Sequence, residues 1–142
     1  MQKLISIAIL IVVGYFAANE SGVLERRSPA SSTDQILQEA FDGRKSDFQV
    51  AATGVVDAVL PDDNKGSRHQ RFILRLANGQ TVLIAHNIDL APRVEGLSEN
   101  DRVEVYGEYE WNPKGGVIHW THADPQGRHV GGWVRHGGRK YQ

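Results

Sequence analysis

The chain has 142 residues, a formal net charge of −1 and no cysteine. It therefore has no disulfides, thiolate metal centres, cysteine nucleophiles or lipid-modified cysteine anchor, and its length suits a single domain. The near-neutral total hides an asymmetry. From Trp111 onward Lys114, Arg128, Arg135, Arg139 and Lys140 face Asp124 as the one acid, accompanied by His119, His122, His129 and His136. A basic, histidine-rich end on a neutral body points to a local anionic contact rather than to wholesale coating of nucleic acid.

The first element is an export segment over residues 1–18. Lys3 supplies a positive start, and Leu4 to Ala18 carries no charge. As a helix this run would reach only about 22 Å, short of a hydrocarbon core of about 30 Å, so it fits a signal peptide better than a full span. Phe16 or Tyr15 falls where a signal peptidase wants a small residue, which leaves a retained anchor as the alternative to cleavage. The expected location is periplasmic or secreted, or anchored to the inner membrane by this segment. Residues 19–31 are polar, contain Pro29 and read as a linker.

A short helix is predicted over 33–42. Ser32 and Gln35 have capping-box spacing, Ile36, Leu37, Ala40 and Phe41 form an apolar stripe, and Gly43 stands at the C-terminal cap. Five strand signals follow. Phe48 to Leu60 alternates, with Gly54 at a bend, and Pro61 to Gly66 is a polar turn. His69 to Ala77 and Gln80 to Ile88 flank Asn78-Gly79, the dipeptide of a type I′ hairpin. A longer connection, Asp89 to Asn100, has room for one helical turn. The fourth strand puts Val103, Val105, Tyr109 and Trp111 on one face and Glu104, Tyr106, Glu108 and Glu110 on the other. After the turn Asn112 to Gly116 comes a fifth strand, Val117 to His122. Residues 123–142 form a Gly-rich, basic and aromatic extension, either a stacking wall or a strand pair.

Five strands with the widest connection after the third suit a mainly β domain over 32–142. The expected form is a small five-stranded OB-like antiparallel barrel spanning 48–122, with the helix before it and the extension after it. The segments His69-Gln-Arg-Phe-Ile, Gly79 to Arg93, Gly107 to Asn112, Gly115 to His122, and Gly132-Trp-Val-Arg-His136 through Gln142 carry a resemblance. Together they resemble a bacterial family of exported proteins known as domain of unknown function number 3465. The resemblance implies an exported bacterial protein and brings no activity and no catalytic residues with it.

Two groups of residues are candidates for chemistry. With a two-residue hairpin loop, Ala77 faces Gln80 and Arg71 faces His86. His69, Arg71, Ile73 and Arg75 then share the outer face with Val82, Ile84, His86 and Ile88. In OB-folds that face is a common ligand platform; otherwise the helix or the tail around Trp133 covers it, because so much apolar surface should not lie bare. The second group is His119, His122, Asp124 and His129, whose imidazoles and carboxylate suit zinc or a similar divalent ion. Residues three apart on a strand point to opposite faces, so His119 and His122 can meet only if His122 lies beyond the strand end. Glu104, Glu108 and Glu110 read as a solvated stripe, and Trp111 and Trp120 as barrel filling. No serine stands in a nucleophile-elbow context, and no phosphate loop is present.

The leading expectation is a non-enzymatic binding module for an anionic ligand: an oligonucleotide, a nucleotide or a glycan phosphate. It would use Arg71, Arg75, His69 and His86 with Trp133 as a second wall, and no cofactor. The alternatives are a metal-dependent hydrolase built on the histidine–aspartate group, and an envelope structural or interaction protein without a small ligand.

Overall fold

The computed structural model describes residues 31–142; residues 1–18, expected to direct export, and residues 19–30 of the expected linker lie outside the described residues. Helix α1 (Ser32–Asp42) precedes strands β1 (Phe48–Asp63), β2 (His69–Arg75), β3 (Thr81–Asn87), β4 (Arg102–Glu110), β5 (Val117–His119), β6 (Trp133–His136) and β7 (Arg139–Tyr141). The helix is capped one residue earlier than the sequence suggests. Ser31 Oγ accepts from the Asp34 backbone N–H at 3.1 Å and its hydroxyl donates to Asp34 Oδ1 at 2.8 Å, so Asp34 takes the place expected of Gln35. Leu37 and Ala40 are buried, whereas Ile36 is 50% exposed and falls outside the buried stripe. Gln80 Nε2 donates to Leu37 O and Trp111 Nε1 to Phe41 O. These bonds seat α1 against the β2–β3 turn and the end of β4. Trp111 is thus a half-buried partner of the helix rather than interior filling.

The strands form one sheet in the order β1-β2-β3-β5-β4-β6-β7, with a further pairing of β1 to β4. The pairings β1–β2, β2–β3, β3–β5, β5–β4 and β4–β1 therefore return to their starting strand. All are antiparallel except β3–β5. The tail resolves into a strand pair: β6 pairs with β4 and β7 with β6. Val134 and Tyr141 from this hairpin join Val50, Val56, Phe72, Leu74, Ile84, Val105, Tyr109 and Ile118 in a continuous apolar core.

The β2–β3 hairpin differs from the expected turn by one residue, with large consequences. Leu76 N–H donates to Gln80 O and Gly79 N–H to Leu76 O, which closes a three-residue loop, Ala77 to Gly79. Of these only Gly79 has positive φ, at +87°, the arrangement of a type I turn followed by a left-handed glycine rather than of a type I′ pair. One added loop residue moves the whole ladder: Arg71 faces Ala85, and Gln70 faces His86. Because side chains alternate, every β3 residue changes face. Val82, Ile84 and His86 point inward and are essentially fully buried, so the bare apolar platform that would need a cover does not arise. Neither α1 nor the tail covers the outer face of β2 and β3; the tail extends the sheet from β4 instead.

The connection from β3 to β4 opens on a single helical turn, in which Ala91 N–H donates to Asn87 O at 3.1 Å and Asn87 Oδ1 accepts from the Asp89 and Leu90 N–H groups. Buried Gln70 holds it by both ends of its amide, donating to Val94 O at 2.9 Å and accepting from Val94 N–H at 2.8 Å. β5 ends at His119, short of the expected His122, because Trp120 takes a left-handed backbone with φ of +54°.

Candidate functional site

The outer face of β4 carries the densest chemistry among the described residues. Alternation puts Glu104, Tyr106, Glu108 and Glu110 on that face while Val103, Val105 and Tyr109 fill the core. Glu108 lies directly opposite His119 of β5. His119 Nε2 sits 3.2 Å from Glu110 Oε1 and 3.6 Å from Glu108 Oε2. That nitrogen is enclosed, yet it has no hydrogen bond of sound geometry to either carboxylate. One donor atom from each of Glu108, Glu110 and His119 lies within 4.8 Å of the others.

His129 reaches the same carboxylate from the loop after β5. Its Nε2 lies 3.1 Å from Glu108 Oε2, while its Nδ1 lies 2.8 Å from Val130 O. A carbonyl only accepts, so Nδ1 carries a proton and donates it there. Trp120 sets the ring in place: the two rings stack with centroids 3.9 Å apart and planes 12° from parallel. The loop can come this close because Gly132 has no side chain. A Cβ there would lie 2.1 Å from Trp120 O and 2.2 Å from Tyr106 O. A left-handed backbone is uncommon for a bulky residue and is held only by its surroundings. Here it is the cost of laying Trp120 flat on His129 rather than in the core where the sequence puts it.

Next along β4, Tyr106 faces Trp133 and Glu104 faces Arg135, and Arg135 in turn faces Lys140 of β7. The Trp133 ring has Tyr106 at 6.0 Å, the Arg135 guanidinium at 4.9 Å and the Lys140 ammonium at 5.2 Å. Arg135 also bonds Glu104 at 3.3 Å, and His136 Nε2 lies 2.8 Å from Asp101 Oδ2, holding that carboxyl below its usual range. Asp101, Arg102, Glu104, Arg135 and His136 line a shallow cleft at this end.

The residues singled out from sequence separate into several places. His86 is not on the outer face. It is 0% exposed, with Nε2 2.9 Å from Pro92 O and Nδ1 2.8 Å from Thr121 Oγ1. The Pro92 carbonyl fixes the proton on Nε2, so Thr121 donates to Nδ1, and burial holds its pKa below the usual histidine value. Arg71 and Arg75 do lie on the outer face, but Arg75 is ion-paired with Asp57 and Arg71 Nε donates to Pro61 O. His69 Nδ1 donates to Ser67 O at 2.8 Å. Trp133 is on β6, and β1 and β4 separate it from β2 around the sheet, so it makes no common wall with Arg71 and Arg75.

The histidine–aspartate group does not assemble as a quartet. Asp124 accepts the backbone N–H groups of Gln126, Arg128 and His129, which shape the loop and lower its pKa. His122 is buried and donates from Nδ1 to Ala123 O. His119 meets Glu108 and Glu110, and His129 meets Glu108, so two of the histidines share a carboxylate that the sequence reads as part of a solvated stripe. The turn read from sequence, Asn112–Gly116, would put Glu108 opposite Trp120; the observed loop begins one residue earlier, at Trp111, so Glu110 pairs with Val117 and Glu108 with His119.

No curated protein matches this chain. Residues 23–142 match the family described as "Protein of unknown function (DUF3465)", and the chain belongs to that family.

Proposed function

We propose that this chain is an OB-like barrel that works outside the inner membrane and binds a phosphate-bearing ligand with a flat ring, such as an oligonucleotide or nucleotide. The cyclic strand pairing with a single parallel pair, β3–β5, supports the barrel reading. The observation that carries the binding reading is the Trp133 ring, flanked by two cations and by Tyr106. An aromatic face beside cations suits a base that stacks while its phosphate is neutralised. Lys140 is exposed and has no ion pair among the described residues, so its charge is available to a ligand. The weight of the anion reading thus moves from Arg71, Arg75, His69 and His86 to the β6–β7 hairpin.

Fluorescence polarisation of a labelled twelve-nucleotide dT strand tests this. Binding should weaken as salt rises and drop by roughly tenfold in Trp133→Ala, given stacking contributions of about 1–3 kcal/mol per base. Lys140→Ala should reduce affinity and flatten the salt dependence, with no change in melting temperature. No saturable binding of dT, of nucleotides or of phosphorylated glycans at low salt, or binding indifferent to both substitutions, would overturn it.

A further inference from the structure

The carboxylate–imidazole group beside that patch points to a second, separate ligand. We propose that Glu108, Glu110, His119 and His129 form a site for a divalent transition-metal ion of the zinc class.

Three observations carry this. The first is spacing. Nitrogen and oxygen ligands lie about 2.0–2.2 Å from zinc, so neighbouring donors of a tetrahedral site stand about 3.4 Å apart. His119 Nε2 lies 3.2 Å from Glu110 Oε1 and 3.6 Å from Glu108 Oε2, and these three residues form the mutually close set; His129 adds a fourth donor through Glu108 Oε2, at 3.1 Å. The second is the protonation pattern. With Nδ1 of His129 donating to Val130 O, the neutral ring turns a lone pair toward a carboxylate oxygen that has no proton to give. A cation between them removes that conflict. A carbonyl accepting from the other ring nitrogen is also the usual support for a metal-bound histidine. The third is the enclosed Nε2 of His119, which lies between the two carboxylates and makes no hydrogen bond to either. Two imidazoles with two carboxylates favour zinc and its neighbours over calcium or magnesium, which take oxygen ligands.

The ion's place in the fold indicates its role. Glu108 and Glu110 belong to β4 and His119 to β5, whereas His129 belongs to the loop that leads into β6. A bound ion would clasp that loop to the sheet and fix the approach of the β6–β7 hairpin. The competing arrangement is a protonated His129 paired with Glu108, which needs no metal.

Calorimetric titration of the purified full chain with Zn²⁺ alone, after removal of metal by a chelator, separates the two. The site should take one equivalent and raise the melting temperature as the free ion rises. Glu108→Gln, which keeps the side-chain shape, should weaken zinc by at least tenfold, and its melting temperature in chelator should stay near wild type. Glu110→Gln, at a more exposed position, should weaken it too and serves if Glu108→Gln fails to fold. His69→Gln should bind as wild type. No heat and no thermal shift up to 1 mM Zn²⁺ (a concentration of about 10⁻³ M covers even weak extracellular sites), unaltered binding by both glutamine variants, or an equal loss in His69→Gln would overturn the assignment.

Discussion

His86 and His129 are each tied to a backbone carbonyl by one ring nitrogen, and they differ in what meets the other. At His86 the second nitrogen faces the Thr121 hydroxyl, which can donate, so a neutral imidazole is satisfied on both sides inside the core. At His129 it faces the Glu108 carboxylate, which cannot. The first arrangement is complete without a further group; the second calls for a proton or a cation. Burial follows the same division, with His86 sealed and the His129 side chain 26% exposed. Hydrogen-bond bookkeeping on the two nitrogens, rather than histidine content, distinguishes a structural imidazole from a candidate ligand.

Substitutions at each site sharpen that contrast. The largest effect is expected at Gly132, where any side chain meets two backbone oxygens. Gly132→Val should destabilise by about 3 kcal/mol and displace the loop that delivers His129; a urea melt resembling wild type would mean the loop has room to move away. Thr121→Val comes next. It keeps the shape but leaves His86 Nδ1 without a donor in a sealed site, at a cost of about 2 kcal/mol by chemical denaturation. A neutral outcome would show that water or a shifted side chain replaces the hydroxyl.

A pH scan then isolates His86. Burial lowers its folded pKa, so below about pH 6.5 the unfolded chain takes up a proton that the folded chain refuses. Its effect on stability is therefore nil above that pH, and stability falls as the pH drops below it. Asp62, Asp89, Asp101 and Asp124 have lowered pKa values, so their contributions persist until about pH 3.8 and are lost only below it. The melting temperature should decline between pH 6.5 and 5 in wild type, and less steeply in His86→Gln; equal slopes would assign the decline elsewhere. The smallest effect is expected for Trp120→Gly. Relief of the left-handed strain opposes loss of the stack on His129, for a net change within about 1 kcal/mol. A large destabilisation would show that the stack outweighs the strain.

Much of this architecture can be read along the chain, and the failures have identifiable causes. The faces of β4 follow from strict alternation between Val103 and Glu110. The sequence puts β3 on the wrong face because Asn-Gly serves two hairpin geometries. They differ in whether Ala77 belongs to the strand or to the loop, and alanine carries no preference strong enough to decide. β6 and β7 have four and three residues, too few for an alternation signal among glycines. At the site, the pairing of Glu108 with His119 depends on a loop that begins at Trp111, and the turn read as Asn112–Gly116 misses it by one residue. His129 leaves no signal at all, since its arrival depends on the backbone of Trp120 and on the contact at Gly132, neither of which leaves a local sequence mark.

The shortness of β5 has a consequence for how this molecule behaves in company. It pairs with β4 only at Glu108, Tyr109 and Glu110, and β6 occupies the same edge from Val103 to Tyr106. Without the terminal hairpin, that stretch of β4 would present open N–H and C=O groups beside core residues that had lost Val134 and Tyr141. Exposed edges of this kind recruit strands from other chains. The hairpin covers that stretch of β4 and leaves only the three-residue β7 as an edge, so a chain cut at Gly131 should elute as aggregates rather than as a smaller monomer.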